Sequence, residues 1–372
     1  KGQIMAVNSR IANFVRDHSN DRCEDRSKAI AIKRYCGKFE EPNRDTAAQR
    51  REDAWQRWIT FDSELSHWGV LGPIWAKARL LVREILSDFR MGDLSFTNGS
   101  SFIPLGPLTS VACRLTAEWT VTPDCFDLFA KYAYWHRALK VSAKKRFISY
   151  CRSNRVDARK LNRRLWTHFG SRRNAAFEVF KFKLYLCVTF VAGNRWSTVP
   201  KNNLKDRPIC LEPLCNMFIQ RAIGLGIRKC LQDKLGIDLD HLADVHRNRI
   251  KSPSTATIDL SDCSDAISVR LINYLLPRHV LSKVLASRSD MTLAPDDNYY
   301  VVNKVSSMGN GFTFDLMSLI LTALTRSLDD EATVFGDDII VKVDKADQVV
   351  EELQRADFVI NVDKTNIGTG YR

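Results

Sequence analysis

"TVFGDDIIV", residues 333–341, sets two adjacent carboxylates, Asp337 and Asp338, between two short apolar runs. Thr333, Val334 and Phe335 precede the pair and Ile339, Ile340 and Val341 follow it, so each flank reads as a strand. Gly336 and one Asp are ordinary chemistry for a hairpin tip. The second acid is not, because no Lys or Arg stands within three residues to offset it. A solvated Gly-Asp turn and a metal site that needs concentrated charge both fit the dipeptide, and the dipeptide alone leaves both open.

Composition sets the frame for that choice. The chain has 372 residues, 45% of them hydrophobic and 27% charged, enough for a sizeable core and two or three domains or subdomains. It contains no uninterrupted apolar run of about 18 residues, so no membrane span is expected. The first residues, Lys1-Gly2-Gln3, open no apolar signal-peptide core. Ten cysteines are scattered without a Cys-x-x-Cys pair, which favours reduced thiols in the cytoplasm over disulfides or zinc.

The net charge of +13 is lopsided. Residues 1–200 hold 35 Lys and Arg against 19 Asp and Glu, whereas residues 201–372 hold 21 against 24. The densest stretch, Arg137–Arg173, has 13 basic residues and one acid, Asp157, interleaved with Phe147, Tyr150, Trp166 and Phe169. Cations alternating with stacking rings suit a single-stranded nucleic-acid groove. A basic helical surface is the plainer reading of the same residues.

Along the chain, residues 1–90 read as mostly helical, with an amphipathic segment at Ile74–Phe89. A Gly/Ser/Pro-rich break follows at residues 97–107, and residues 124–190 again look helical. From about Trp196 short strand-like runs alternate with helices: "PICLE", "MFIQRAIGLGIRKCLQDKL", "TATIDL", "NYYVVNKV", "FDLMSLILTALTRSL" and "KADQVVEELQRA". The mixture predicts an α+β second half.

Two further stretches share the chemistry of the opening one. In "TATIDLSDCSDAIS", residues 255–268, a strand ending in Asp259 places that carboxylate at a sheet edge. Asp265 then falls near the start of a helix through Ile267–Leu276. Asp262 and Asp265 also serve as simple caps in a plainer reading. In "SSMGNGFTFDLMSLI", residues 306–320, Gly309 and Gly311 let the backbone approach a ligand, and Ser306, Ser307 and Asn310 offer hydrogen bonds.

A hairpin beside the Asp259 strand gathers three carboxylates, which repel unless a cation neutralises them. Two Mg²⁺ ions about 3.5–4 Å apart meet that need and drive in-line phosphoryl transfer. Upstream, in "VPKNNLKDRPICLEP" (199–213), Lys201, Lys205 and Arg207 suit a triphosphate. Downstream, Lys364 in "INVDKTN" (360–366) suits proton donation to a departing pyrophosphate. Each basic residue taken alone is also an ordinary surface charge.

In this order and spacing, "VPKNN…DRPICLEPLCNMFIQ", "ATIDLSDCSDAIS", "SSMGNGFTFDLMSLI" and "FGDDII" resemble the replicase catalytic subunit of the positive-strand RNA bacteriophages, the leviviruses. "FTNGSSFIPLG" (96–106) and "EWTVTP" (118–123) are weaker matches. The resemblance implies an RNA-dependent RNA polymerase acting in the bacterial cytoplasm. Its fold would be an α+β right hand with helix-rich fingers and an antiparallel-sheet palm. Residues 1–198 would form an N-terminal helical region and fingers, 199–253 fingers with the basic segment, and 254–372 the palm with an insertion near 277–303.

It implies that Asp259 and Asp337 hold two Mg²⁺ ions, with Mn²⁺ as a substitute, and that Asp338 supports them. Asp265 and Asn310 would read the ribose 2′-hydroxyl, Ser307 and Gly309 would shape that pocket, and Lys201 and Arg207 would contact the triphosphate. Lys364 matches the family's lysine after the palm helix. The implied partners are template and nascent RNA, NTPs, host elongation factors Tu and Ts, and ribosomal protein S1.

The chain departs from the pattern in places. Leu204 stands where the family has Lys, with Lys205 one place later, and in an extended segment that shift reverses the side chain's face. Phe335 replaces Tyr, and Asp262 and Cys263 replace small residues. "TGYR" begins the next family motif, so a thumb is expected beyond residue 372. A reverse transcriptase and a non-catalytic RNA-binding relic are the alternatives. Asp265 and Asn310 favour RNA synthesis over DNA, and the intact carboxylate trio favours catalysis.

Overall fold

A computed structural model describes residues 45–65, 72–96, 100–103, 110–202, 204–305 and 307–368. Ser306, Thr97–Gly99 and the closing "TGYR" lie outside the described residues. The chain forms two compact units. The smaller joins the chain up to Phe61 to Trp196–Ile209, and the larger joins Asp62–Arg195 to Cys210–Arg372.

In the smaller unit, helix α1 (Ala47–Glu64) buries Ala54, Trp55 and Trp58 on one face. Trp55 stacks on Trp58, with ring centroids 5.6 Å apart, and meets Trp196 edge-on at 5.3 Å. Arg50 pairs with the buried Asp206 at 3.2 Å. The turn between Trp196 and Ile209 is closed by Asn202, whose Oδ1 accepts the N–H groups of Leu204 (2.9 Å) and Lys205 (2.7 Å).

The larger unit begins with helices α2 (Pro73–Ile85), α3 (Val111–Thr116), α4 (Pro123–Trp135), α5 (Arg137–Ser153), α6 (Ala158–Phe169) and α7 (Ala175–Tyr185). Proline opens α2 and α4, where its missing N–H is no loss. Asp157, the one acid of the basic stretch, caps α6 by accepting from the N–H groups of Arg159 and Lys160. Short strands β1 (Thr120–Val121) and β2 (Thr189–Phe190) pair in parallel.

Strands β3 (Asn194–Pro200) and β4 (Asp206–Leu211) lead into α8 (Leu214–Leu235), which ends at Gly236 in the left-handed region (φ +66°). Helix α9 (Leu242–Arg249) precedes the strand that carries Asp259.

That strand, β5 (Thr255–Ser261), lies inside a four-stranded antiparallel sheet with β8 (Thr333–Phe335), β9 (Asp338–Lys342) and β10 (Val359–Ile360), ordered β10-β5-β9-β8. Between β5 and this hairpin come α10 (Val269–Leu275), α11 (Arg278–Ser287), β6 (Met291–Leu293), β7 (Tyr299–Val301) and α12 (Thr313–Arg326). Asn194 and Arg195 pair in parallel with β6, which pairs antiparallel with β7.

One face of the β5 sheet carries Ala256, Ile258 and Leu260, all buried, and helix α13 (Val343–Arg355) packs on the sheet with Ala346, Val349 and Leu353. Helix α12 is almost wholly enclosed, packing against α2, α8 and β8. Each of its buried Leu and Ile side chains contributes about 1.5–3 kcal/mol. The other face of β5 carries Thr257, Asp259 and Ser261 and stays partly open.

The α+β character holds, and every strand and helix expected after Trp196 is present. Two local expectations are corrected. Strand β5 continues to Ser261 and is flanked on both sides, so Asp259 stands within the sheet and not at its edge. The helix expected through Ile267–Leu276 is split into a 3₁₀ turn, Cys263–Ala266, and α10. Ser268 causes the split, since its hydroxyl caps α10 through the Leu271 N–H and its own backbone is extended.

Candidate active site

The GDD hairpin is as tight as a hairpin gets. Phe335 pairs with Asp338 across β8 and β9, leaving Gly336 and Asp337 as the two-residue loop. Gly336 adopts φ +66°, the backbone that glycine supplies at the first central position of such a turn. Its N–H donates to Ser318 Oγ on α12 at 3.0 Å, and a Cβ there would lie 2.8 Å from the Phe314 ring. Helix α12 therefore pins the turn from below and leaves Asp337 and Asp338 exposed.

Register brings the third carboxylate in. Asp259 on β5 stands directly opposite Asp338 on β9, so both side chains leave the same face. Burial, and then the charges of Asp337 and Asp259, push the Asp338 carboxyl above its ordinary value, while Lys364 pulls the other way. The buried Cys263 thiol, pushed up chiefly by burial, also feels Asp337, Asp265 and Asp259, which ties those three acids to one neighbourhood. Asp262, beside it, takes a left-handed backbone (φ +49°) and makes no side-chain cap.

Lys364 is delivered by the segment after β10. Asn361 N–H donates to the Asp259 carbonyl, Asn366 exchanges both backbone hydrogen bonds with Thr257, and Thr365 Oγ1 accepts the Asp259 N–H. The Lys364 Nζ then lies 3.2 Å from both carboxylate oxygens of Asp259, and Asn361 Nδ2 donates to Oδ2 at 2.7 Å. Lys364 thus pairs with Asp259 and acts on Asp338 as well. A cleft of about 410 Å³ is lined by Asp259, Asp338 and Lys364 together with Phe335, His246 and Arg247. Burial, aided by Arg249, holds His246 down to about 4, so it is a neutral ring at physiological pH.

The carboxylates suit a divalent cation of the Mg²⁺ kind. They offer oxygen donors only, in anionic excess, on an open face. Among the described residues no three His, Cys, Asp or Glu side chains close into a cage around one point.

A second cluster lies beside the first. Asp265 is buried and pairs with the wholly buried Lys304 at 3.6 Å. Lys304 is fixed in turn by Asp62, which accepts the backbone N–H groups of Asn303 and Lys304. Ser307 is buried, hydrogen bonds the Cys210 thiol, and accepts the Thr313 hydroxyl at its carbonyl. Asn310 Oδ1 accepts from Phe312 N–H, while its buried Nδ2 has no partner among the described residues and is open to a ligand or a water.

The glycines behave differently from expectation. Gly309 (φ +111°) sits where a Cβ would lie 2.2 Å from the Cys210 carbonyl oxygen, and at Gly311 a Cβ would lie 2.8 Å from Arg221 N on α8. Their close approach is to the chain itself. They hold the Ser307–Asn310 loop against Cys210, whose N–H donates to the Met308 carbonyl at 2.7 Å.

Lys201, Lys205 and Arg207 lie in the smaller unit, and the carboxylates in the larger. Lys201 and Lys205 are exposed at the turn closed by Asn202, and Arg207 is half-buried on β4. Because Lys205 stands in that turn, strand alternation does not set its direction, and the argument from a reversed face does not apply to it. Lys304, Asp62 and Asn361 escaped the sequence reading.

These two clusters set three carboxylates, Asp259, Asp337 and Asp338, beside a polar recess. Residues 18–372 match the family described as RNA replicase, beta-chain. The chain belongs to that family. It is 34% identical over 319 residues to the RNA-directed RNA polymerase beta chain of Enterobacteria phage GA, covering 82% of this chain and 52% of that one.

It is 31% identical over 368 residues to the beta chain of Escherichia phage MS2, covering 95% and 58%. It is 40% identical over 185 residues to the beta subunit of Escherichia virus Qbeta, covering 46% and 31%. The chain thus spans about half the length of the phage GA relative. Among solved structures, the RNA-dependent RNA polymerase of a human picorbirnavirus is similar at 13% identity and a TM-score of 0.35, covering 47% of this chain and 40% of that one.

Proposed function

We propose that this chain carries the catalytic centre of an RNA-directed RNA polymerase that replicates a positive-strand RNA phage genome. The observation that supports this best is the facing pair Asp259 and Asp338 across β5 and β9, with Asp337 on the turn beside them. Asp259 and Asp337 are the proposed ligands of two Mg²⁺ ions, and Asp338 adds charge behind them. Bound there, the ions would acidify an RNA 3′-hydroxyl and neutralise the α-phosphate of an NTP as pyrophosphate leaves.

The chain's own groups do the rest. Lys364 offsets Asp259 in the free protein and places Nζ at the cleft, from where it would protonate the departing pyrophosphate. Asp265, oriented by Lys304, and Asn310, through its open Nδ2, read the ribose 2′-hydroxyl. Ser307 and Gly309 hold that recess in shape. Lys201, Lys205 and Arg207 neutralise the triphosphate, Arg207 by its bidentate fork. Family membership supports a right-hand polymerase architecture and, as accessory partners, elongation factors Tu and Ts and ribosomal protein S1.

The test is templated synthesis of labelled GMP into product on poly(C), by replicase assembled with this chain. Product from the native form and none from Asp337→Asn, with RNA binding equal in both, is the expected result. Equal synthesis by both would overturn the assignment.

A further inference from the structure

Helices α4 to α7 enclose a second cleft, of about 730 Å³, that shares no residue with the carboxylate site. Its floor is apolar: Ala143, Phe147, Val179 and Leu184, all buried. Its rim is not. Trp135 is 82% exposed and Trp166 44% exposed, and Arg137, Lys140, Lys144 and Arg159 stand with them. No acidic side chain lines it. The one acid in the Arg137–Arg173 stretch, Asp157, is committed to capping α6.

We infer that this cleft binds a single-stranded segment of RNA, with bases stacked on Trp135 and Trp166 and phosphates held by the rim cations. Large exposed indoles beside cations that make no ion pair among the described residues are what a sequence-tolerant stacking platform requires. Existing contacts show the same pairing of ring and cation: Lys140 Nζ lies 4.0 Å from the Tyr134 ring centre, and Lys183 Nζ 5.1 Å from that of Phe147.

Not every cation of the stretch is available. Arg146 is turned inward, donating to the Leu115 and Ala117 carbonyls over the Trp119 ring. The ones left at the rim are those the proposal uses. A duplex keeps its bases stacked on one another and out of reach of such a cleft, so the strand must be single. An acidic peptide would satisfy the cations but has no use for two exposed indoles. The inference rests on the polymerase reading only in taking RNA as the polyanion.

The test uses the full chain and a fluorescein-labelled oligouridylate of about 12 nucleotides, within the usual footprint for one such platform. Trp135→Ala with Trp166→Ala should weaken binding about fivefold to 150-fold for each ring lost. Lys140→Glu with Lys144→Glu should flatten the plot of log affinity against log salt by about 1.4, for two lost phosphate contacts on a single strand. All four side chains are at the surface, and an unchanged melting temperature will show that the fold is intact. Crosslinks from 4-thiouridine should fall within residues 134–184.

Crosslinks confined elsewhere, with both variants binding as the native chain does, would overturn the proposal. So would competition by polyglutamate that the tryptophan variant leaves unaltered. Asp337→Asn separates the two readings: it should keep these crosslinks while abolishing synthesis. If it keeps synthesis, the polymerase assignment fails and the crosslinks still decide the cleft.

Discussion

Gly336→Ala isolates the backbone requirement of the GDD turn from its charge. The substitution places a Cβ at φ +66°, which costs an L-residue about 1–2 kcal/mol. The same Cβ lies 2.8 Å from Phe314 Cε2 and 3.2 Å from Cδ2, and displacing a packed ring adds about 1–3 kcal/mol of overpacking. The sum is about 2–5 kcal/mol. It falls on the two residues that aim Asp337, so synthesis and stability should drop together.

Thermal and urea unfolding of the variant measure the stability loss. Phe314→Ala in the same chain tests its origin, because removing the ring relieves the packing share and leaves the backbone share. A double-mutant cycle should therefore return a coupling of about 1–3 kcal/mol in favour of the pair. A Gly336→Ala protein as stable and active as the native chain would refute the reasoning. A cycle with no coupling would refute the part assigned to Phe314.

Three other predictions follow from the same geometry. The Asp338 carboxyl is raised above the ordinary carboxylate range, chiefly by burial, so the fold disfavours its charged form; the cost is absent while the group is protonated and complete once pH passes the raised value. Asp338→Asn should thus stabilise the metal-free chain at neutral pH and make no difference in strong acid. Melting across that pH range checks it. Asp265→Ala should relax selection of NTPs over dNTPs, read as the ratio of GMP to dGMP incorporated, while an unchanged ratio removes its sugar-reading role.

Arg228→Met should cost about 3 kcal/mol in urea unfolding. It strips the fully buried Asp315 of its 2.9 Å ion pair and leaves only Arg221 at 3.4 Å.

The parts of the site visible in the sequence were those built by local pattern. The hairpin shows in two apolar runs flanking Gly336 and Asp337, and β5 shows in the alternation of Ala256, Ile258 and Leu260 with Thr257, Asp259 and Ser261. What escaped is tertiary. Asp259 was expected at a sheet edge because β10, its second neighbour, has only two residues and no pattern of its own. Lys304 gave no signal because its placement depends on Asp62, 242 residues away in the chain.

Gly309 reads in sequence as freedom to approach something, and only the fold shows that the partner is the Cys210 carbonyl. The Asp157 carboxylate, which looked like a lone acid in a basic surface, is a helix cap, a role visible in its place before Ala158 but not distinguishable there from plain exposure.

The central claim is that Asp259, Asp337 and Asp338 form a divalent-cation centre. Titration of this chain with Mn²⁺, following the loss of the free-ion EPR signal, tests it without requiring catalysis. The account predicts binding by the native chain that Mg²⁺ displaces and that Asp259→Asn and Asp337→Asn each abolish or sharply weaken. Identical Mn²⁺ uptake by the native chain and both variants would contradict it.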